Sequence, residues 1–130
     1  MIVLDIVTPT RKLVEGVQAT SVKLPTVKGQ AEVLPGHTEM VTLLETGQLS
    51  FVNDGKERKF AVSYGFAEVR KDKVIVLAET AEEAREINVE RAKTAQQKAQ
   101  TALQGTLTDE QYRKNQLKLQ RALIRQQVAH

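Results

Sequence analysis

The sequence predicts a β + α protein: an N-terminal antiparallel β-sandwich over residues 1–80, followed by a C-terminal two-helix antiparallel hairpin over residues 81–130. Three observations predict it. Up to residue 78, apolar residues alternate or come in short runs broken by glycine and proline, which is strand patterning. Beyond residue 92, alanines recur at helical spacing and a single glycine, Gly105, interrupts them. The charge divides at the same place. Residues 1–80 hold ten basic and ten acidic side chains, whereas residues 81–130 hold nine and six, so the net +3 resides in the tail.

Residues 2–7 form a first strand closed at Pro9, because proline donates nothing to a ladder. Residues 13–17 form a short second strand in which Gly16 marks a bulge or bend. A third alternates over residues 20–24 and is expected to stop at Pro25. Lys28-Gly29 turns the chain into residues 31–34. Pro35-Gly36 then predicts a type II turn, proline presetting φ and glycine taking the positive φ that follows. Residues 40–44 and 48–52 are strands on either side of Gly47, and Asn53-Asp54-Gly55 is the best hairpin signal, returning through residues 59–69. Residues 74–78 are apolar throughout and are expected to be buried on both faces. Short strands at spacings of roughly 8–12 residues, with no crossover helix among them, indicate a sandwich or barrel and argue against a parallel sheet.

The first helix starts near Thr80, which would make a capping box with Glu83, or near Asn88, itself a good N-cap. The paired acids Glu82 and Glu83 are expected to complement the helix dipole. Ala92, Ala95, Ala99 and Ala102 share one face. Four methyls at ~0.8 kcal/mol each stabilise a docked helix by about 3 kcal/mol, which is reversible. Gly105 is expected to end this helix with positive φ. Thr108 caps the second helix and Gln111 closes a capping box. Leu117, Ile124 and Val128 share one face, and Tyr112, Leu119 and Leu123 another. Lys114, Lys118, Arg121 and Arg125 form a basic stripe, and no acid follows Glu110. Such a stripe is a solvated face or else meets a phosphate, an acidic protein surface or nucleic acid.

Other chemistries are excluded. Without cysteine there is neither a disulfide framework nor a thiolate zinc site. The N-terminus, with an acid at Asp5 and no long apolar run, is not a secretory signal, and no segment approaches the roughly 20 apolar residues that span a bilayer. A soluble, cytoplasmic protein is expected. Neither glycine-rich phosphate loop occurs. Only His37 and His130 could serve as imidazole bases, and His37 follows a Pro-Gly turn, where a structural hydrogen bond is its expected role. No tryptophan and 4% aromatics argue against a base-stacking platform, so no nucleic-acid partner is expected.

Four motifs in order, Leu34-Pro35-Gly36-His37, Thr46-Gly47-Gln48-Leu49, the stretch Ser63-Tyr64-Gly65-Phe66-Ala67-Glu68-Val69 and Val74-Ile75-Val76-Leu77-Ala78, resemble the epsilon-subunit family of F-type ATP synthases over essentially the whole chain. The chain departs from that family's pattern at Glu32, at Thr38-Glu39 and at Tyr64, where glycine, Ala-Pro and glycine are usual. The resemblance implies a non-catalytic rotor subunit of the central stalk, peripheral on the cytoplasmic face of the bacterial inner membrane and touching the membrane only through the complex. It implies that the sandwich binds the gamma subunit and sits on the c-ring, with Lys28, Gly29, Gln30, Ala31, Glu32 and His37 at or near the ring. It implies that the hairpin, when extended, inhibits ATP hydrolysis by presenting Lys114, Lys118, Arg121 and Arg125 to an acidic loop of the beta subunit.

Some bacterial members of that family bind ATP as a regulatory ligand through a motif of Ile or Leu, Asp, two variable residues, Arg and Ala. Ile87-Asn88-Val89-Glu90-Arg91-Ala92 matches it except for asparagine in place of aspartate. Asn88 keeps the capping role but not the carboxylate charge. By the same resemblance Glu82, Lys98, Arg121 and Arg125 would support the nucleotide; alternatively, Arg91 and Arg121 line the hairpin for salt bridges. Resident cofactors and metals are not expected. A stand-alone ATP sensor and a basic-helix nucleic-acid module are the rival readings.

Overall fold

The computed structural model describes residues 1–129; His130 lies outside them. Eight strands come first: β1 (Ile2–Val7), β2 (Lys12–Ala19), β3 (Ser21–Thr26), β4 (Gly29–Val33), β5 (Met40–Leu44), β6 (Gly47–Asn53), β7 (Lys56–Arg70) and β8 (Lys73–Glu83). A 3-10 turn (Ala84–Glu86) leads to α1 (Val89–Leu103) and α2 (Asp109–Val128). The strands hydrogen-bond in the order β2-β1-β8-β7-β5-β3-β4, with β6 joining β3 to β7.

The sheet folds into a sandwich because β7, β8 and the consecutive pair β5 and β6 turn a corner together. The first half of β7 pairs with β6 and its second half with β5, in one continuous register. Core-facing residues change parity at the bend: Phe60 and Val62 give way to Ala67 and Val69, Val74, Val76 and Ala78 to Ala81, and Leu44 to Leu49 and Phe51. Tyr64 and Gly65 make the bend in β7 with φ of 47° and 135°. At Gly65 a Cβ would stand 1.9 Å from the Leu77 carbonyl oxygen, so β7 and β8 meet this closely only over glycine.

Several local expectations hold. Gly16 (φ 63°) forms a bulge opposite Asp5, whose Oδ1 accepts the Gly16 N–H at 2.6 Å. Gly36 has the φ of 83° that a type II turn requires. Asp54 and Gly55 both have positive φ, as a two-residue hairpin turn demands. Asn88 caps α1 by accepting the Arg91 N–H, and the Thr108–Gln111 capping box is complete.

Others are corrected. Strand β3 runs through Pro25 to Thr26; the Pro25 carbonyl accepts from Glu45, and only its missing N–H is lost to the ladder. One pair, β1 with β8, is parallel within the otherwise antiparallel sandwich. All the intervening strands make that connection, so no crossover helix is needed. Residues 74–78 are not buried on both faces: Val74, Val76 and Ala78 enter the core while Leu77 is 38% exposed. Strand β8 extends beyond Thr80 to Glu83, so Thr80 is no helix cap and Glu82 and Glu83 complement no dipole. Gly105 lacks positive φ; α1 closes instead with i to i−3 bonds from Gln104 and Gly105 to the carbonyls of Thr101 and Ala102.

Candidate functional site

Successive strand residues face opposite ways, and at the end of β8 this gives two adjacent acids different partners. Glu83 accepts from Arg58 Nε at 2.9 Å and Nη2 at 2.8 Å. The Arg58 guanidinium lies 5.2 Å and 5.5 Å from the centroids of the Phe51 and Phe60 rings. The hydrogen bond from Arg58 holds the Glu83 carboxyl below its ordinary pKa despite its burial, and the same bond raises Arg58. Glu82 instead faces α2. Arg125 Nη2 donates to its Oε2 at 3.2 Å, while the buried Nε, 2.7 Å from Oε1, is not aligned for a hydrogen bond.

The arm therefore docks through α2. Val128, fully buried, and Ile124 pack with Ala61 and Ile87 in a small second core. Beside it Arg121 Nε donates to Ser63 Oγ at 3.3 Å. Helix α1 packs on α2, with Ala92, Ala99 and Ala122 buried. The alanine face thus joins helix to helix, and the arm is held on the sandwich by the aliphatic face of α2 that contains Ile124 and Val128. At about 1.5–3 kcal/mol for a fully buried branched side chain, two such residues give an anchorage of only a few kcal/mol.

The basic stripe is split by this docking. Lys114 and Lys118 are exposed, whereas Arg121 and Arg125 are half-buried against the sandwich. A cleft of about 310 Å³ between the helices is lined by Lys98, Lys118, Arg121 and Arg125 with Asn115 over an alanine floor. A second, of about 370 Å³, is lined by Asn88, Glu90, Arg91, Thr94 and Lys98 and shares Ala95 and Lys98 with the first. Five cations so placed suit a polyanion. Ile87 and Ala92 are buried and serve packing, and Asn88 Oδ1 is engaged by the Arg91 N–H at 3.0 Å. Glu82 is reached through Arg125. Asn115 was not foreseen, although its position three residues before Lys118 puts it on the same face.

The expected ring-facing residues lie along the β3–β4 turn, β4 and the connection that follows it. Lys28 and Gly29 sit at one end of β4, where Thr26 Oγ1 accepts the Lys28 N–H at 3.2 Å. Gly29 and Gln30 line a cleft with Gln127 of α2. Glu32 lies about 10 Å of strand from Gly29, and His37 follows in the connection that leads from β4 to β5. The His37 N–H bonds the Leu34 carbonyl at 3.1 Å and Nδ1 donates to the Thr38 carbonyl at 2.6 Å, the structural role expected of it. A different surface was missed. Leu43, Phe66 and Leu77 are adjacent across β5, β7 and β8, and with Val41 they are exposed by 38–71%. Their alternation with core residues was the available signal.

Family comparison agrees with this architecture. The family model described as the β-sandwich domain of the ATP synthase delta/epsilon chain matches residues 1–84, and that of the long α-helix domain matches residues 85–130. The chain belongs to the ATP synthase epsilon-chain family. The ATP synthase epsilon chain of Geobacter metallireducens is 42% identical over 126 residues, covering 96% of this chain and 91% of the relative. That of Trichlorobacter lovleyi is 44% identical over 131 residues, covering 97% and 91%. A chain in the Euglena gracilis mitochondrial ATP synthase structure (OSCP/F1/c-ring) superposes with a TM-score of 0.87 at 22% identity, covering 99% of this chain and 81% of that one; this likeness is one of fold. The family's two-part division falls where β8 ends. Among the described residues no helix is long and apolar enough to cross a membrane, and no group of three or more potential metal ligands gathers.

Proposed function

We propose that this epsilon-family chain is a non-catalytic rotor subunit of a proton-translocating ATP synthase, on the cytoplasmic face of the bacterial membrane. Its sandwich joins the gamma subunit to the c-ring, and its hairpin is a detachable brake on ATP hydrolysis. The observation that carries this reading is the contrast in attachment: a sandwich with one continuous core bears an arm held by a few aliphatic side chains, Arg121–Ser63 and Arg125–Glu82. A few kcal/mol is within reach of a competing partner's differential affinity. The exposed row of Val41, Leu43, Phe66 and Leu77 suits an apolar face of gamma. Residues 28–32, together with His37 in the connection that follows β4, suit the c-ring. Once undocked, Arg121 and Arg125 would join Lys114 and Lys118 in one basic face for the beta subunit.

Regulation by ATP fits the same design. A triphosphate in the Lys98–Arg121–Arg125 cleft, with Asn88 and Arg91 adjoining, would bridge α1 to α2 and hold the arm folded. Removing residues 87–130 should leave assembly intact and raise ATP hydrolysis by the complex; a shortened chain that no longer assembles would overturn the division of labour. Titration of the isolated chain with ATP should raise Tm with dose, and Arg121→Ala should blunt the rise. Flat curves to millimolar ATP remove the ligand and leave the brake standing.

A further inference from the structure

We infer that Tyr64 is a positioning residue of the docked arm: its left-handed backbone and its side chain together build the seat on which α2 rests. Tyr64 has φ 47°, a conformation that costs a bulky L residue free energy and glycine almost none. Something must offset that cost. In a regular strand Ser63 and Tyr64 would face opposite sides. Here the inversion of parity at the bend sets both toward α2. Ser63 Oγ accepts from Arg121, and Tyr64 lines a groove of about 590 Å³ with Leu117, Leu123 and Ile124. The sandwich therefore offers α2 a polar contact and an aromatic wall from consecutive residues. The inference deepens the proposed function by naming what holds the arm down, and it holds whether or not the arm inhibits hydrolysis.

Hydrogen exchange on the full-length isolated chain tests it. Tyr64→Gly should relax the backbone and remove the wall, so α2 amides should exchange roughly fivefold faster while protection in β1 and β8 is unchanged or increased. Tyr64→Ala should free α2 without the gain in the sandwich, and Tyr64→Phe should restore wild-type protection in both. Leu123→Ala should free α2 in the Tyr64 background and add little in the Tyr64→Gly background, as expected for residues acting across one groove. Unchanged α2 exchange in Tyr64→Gly, or equal acceleration of α2 and the sandwich, would overturn the inference. Either result would leave hydrolysis by the shortened complex as the separate measure of the brake.

Discussion

Glu83 concentrates the residue-scale argument. The residue is 7% exposed, its carboxylate held by Arg58 and, at 3.4 Å, by Arg85. A carboxyl whose folded pKa is depressed contributes stability above its unfolded pKa, about 4.3, and that contribution is lost as pH falls through the lower folded value. Glu83→Gln should therefore lower stability at pH 7 by about 2 kcal/mol, less than the ~3–5 kcal/mol of a fully buried pair because Arg58 retains some exposure. The gap between variant and parent in thermal melts should close as pH is taken from 5 toward 3. A gap independent of pH would mean that packing of Arg58 on the two phenylalanines, not the charge, stabilises this end of β8. None of this was legible from Glu82-Glu83 alone. Two consecutive acids fit a helix start as well as a strand end, and only the pairing of Phe60 with Glu83 distinguishes them.

At the scale of elements, the hairpin was readable and its mode of attachment was not. Asn88, Thr108 and Gln111 satisfy backbone groups within three residues of themselves, so local chemistry specifies where α1 and α2 begin. Thr108→Ala should cost about 1 kcal/mol of helix stability. It should speed exchange in the first turn of α2 and leave the docked end nearly unaffected. Val128→Ala should do the reverse. It removes two buried methyls, about 1.6 kcal/mol, from the contact with Ala61 and Ile87. Limited trypsin cleavage at Arg121 and Arg125 should accelerate several-fold while the melting of the sandwich stays within a degree or two. Equal sensitivity of both regions would show the arm and sandwich to be one cooperative unit. The basic stripe illustrates the limit of pattern: spacing placed four cations on one face, but not which two the sandwich would engage.

For the whole molecule, the fold decides which side chains reach the outward faces that can meet partners. Leu43, Phe66 and Leu77 come from three strands and meet only because the register aligns them. Phe66→Asp, on an already exposed position, should leave the isolated chain's unfolding free energy within about 0.5 kcal/mol of wild type. In a reconstitution it should sharply weaken binding to gamma. Normal assembly of this variant would assign the apolar row some other role. The sequence by itself determined the sandwich of short strands, the turns at Gly16, Gly36 and Gly55, the start of the second helix and the separation of a neutral body from a basic tail. Each follows from interactions between residues close along the chain: alternation, φ preferences, caps and charge counts. Only the tertiary structure decided the parallel β1–β8 pair, the corner at Tyr64 and Gly65, the different partners of Glu82 and Glu83, and docking by α2 rather than α1. Those depend on contacts between segments tens of residues apart, whose register no local preference encodes.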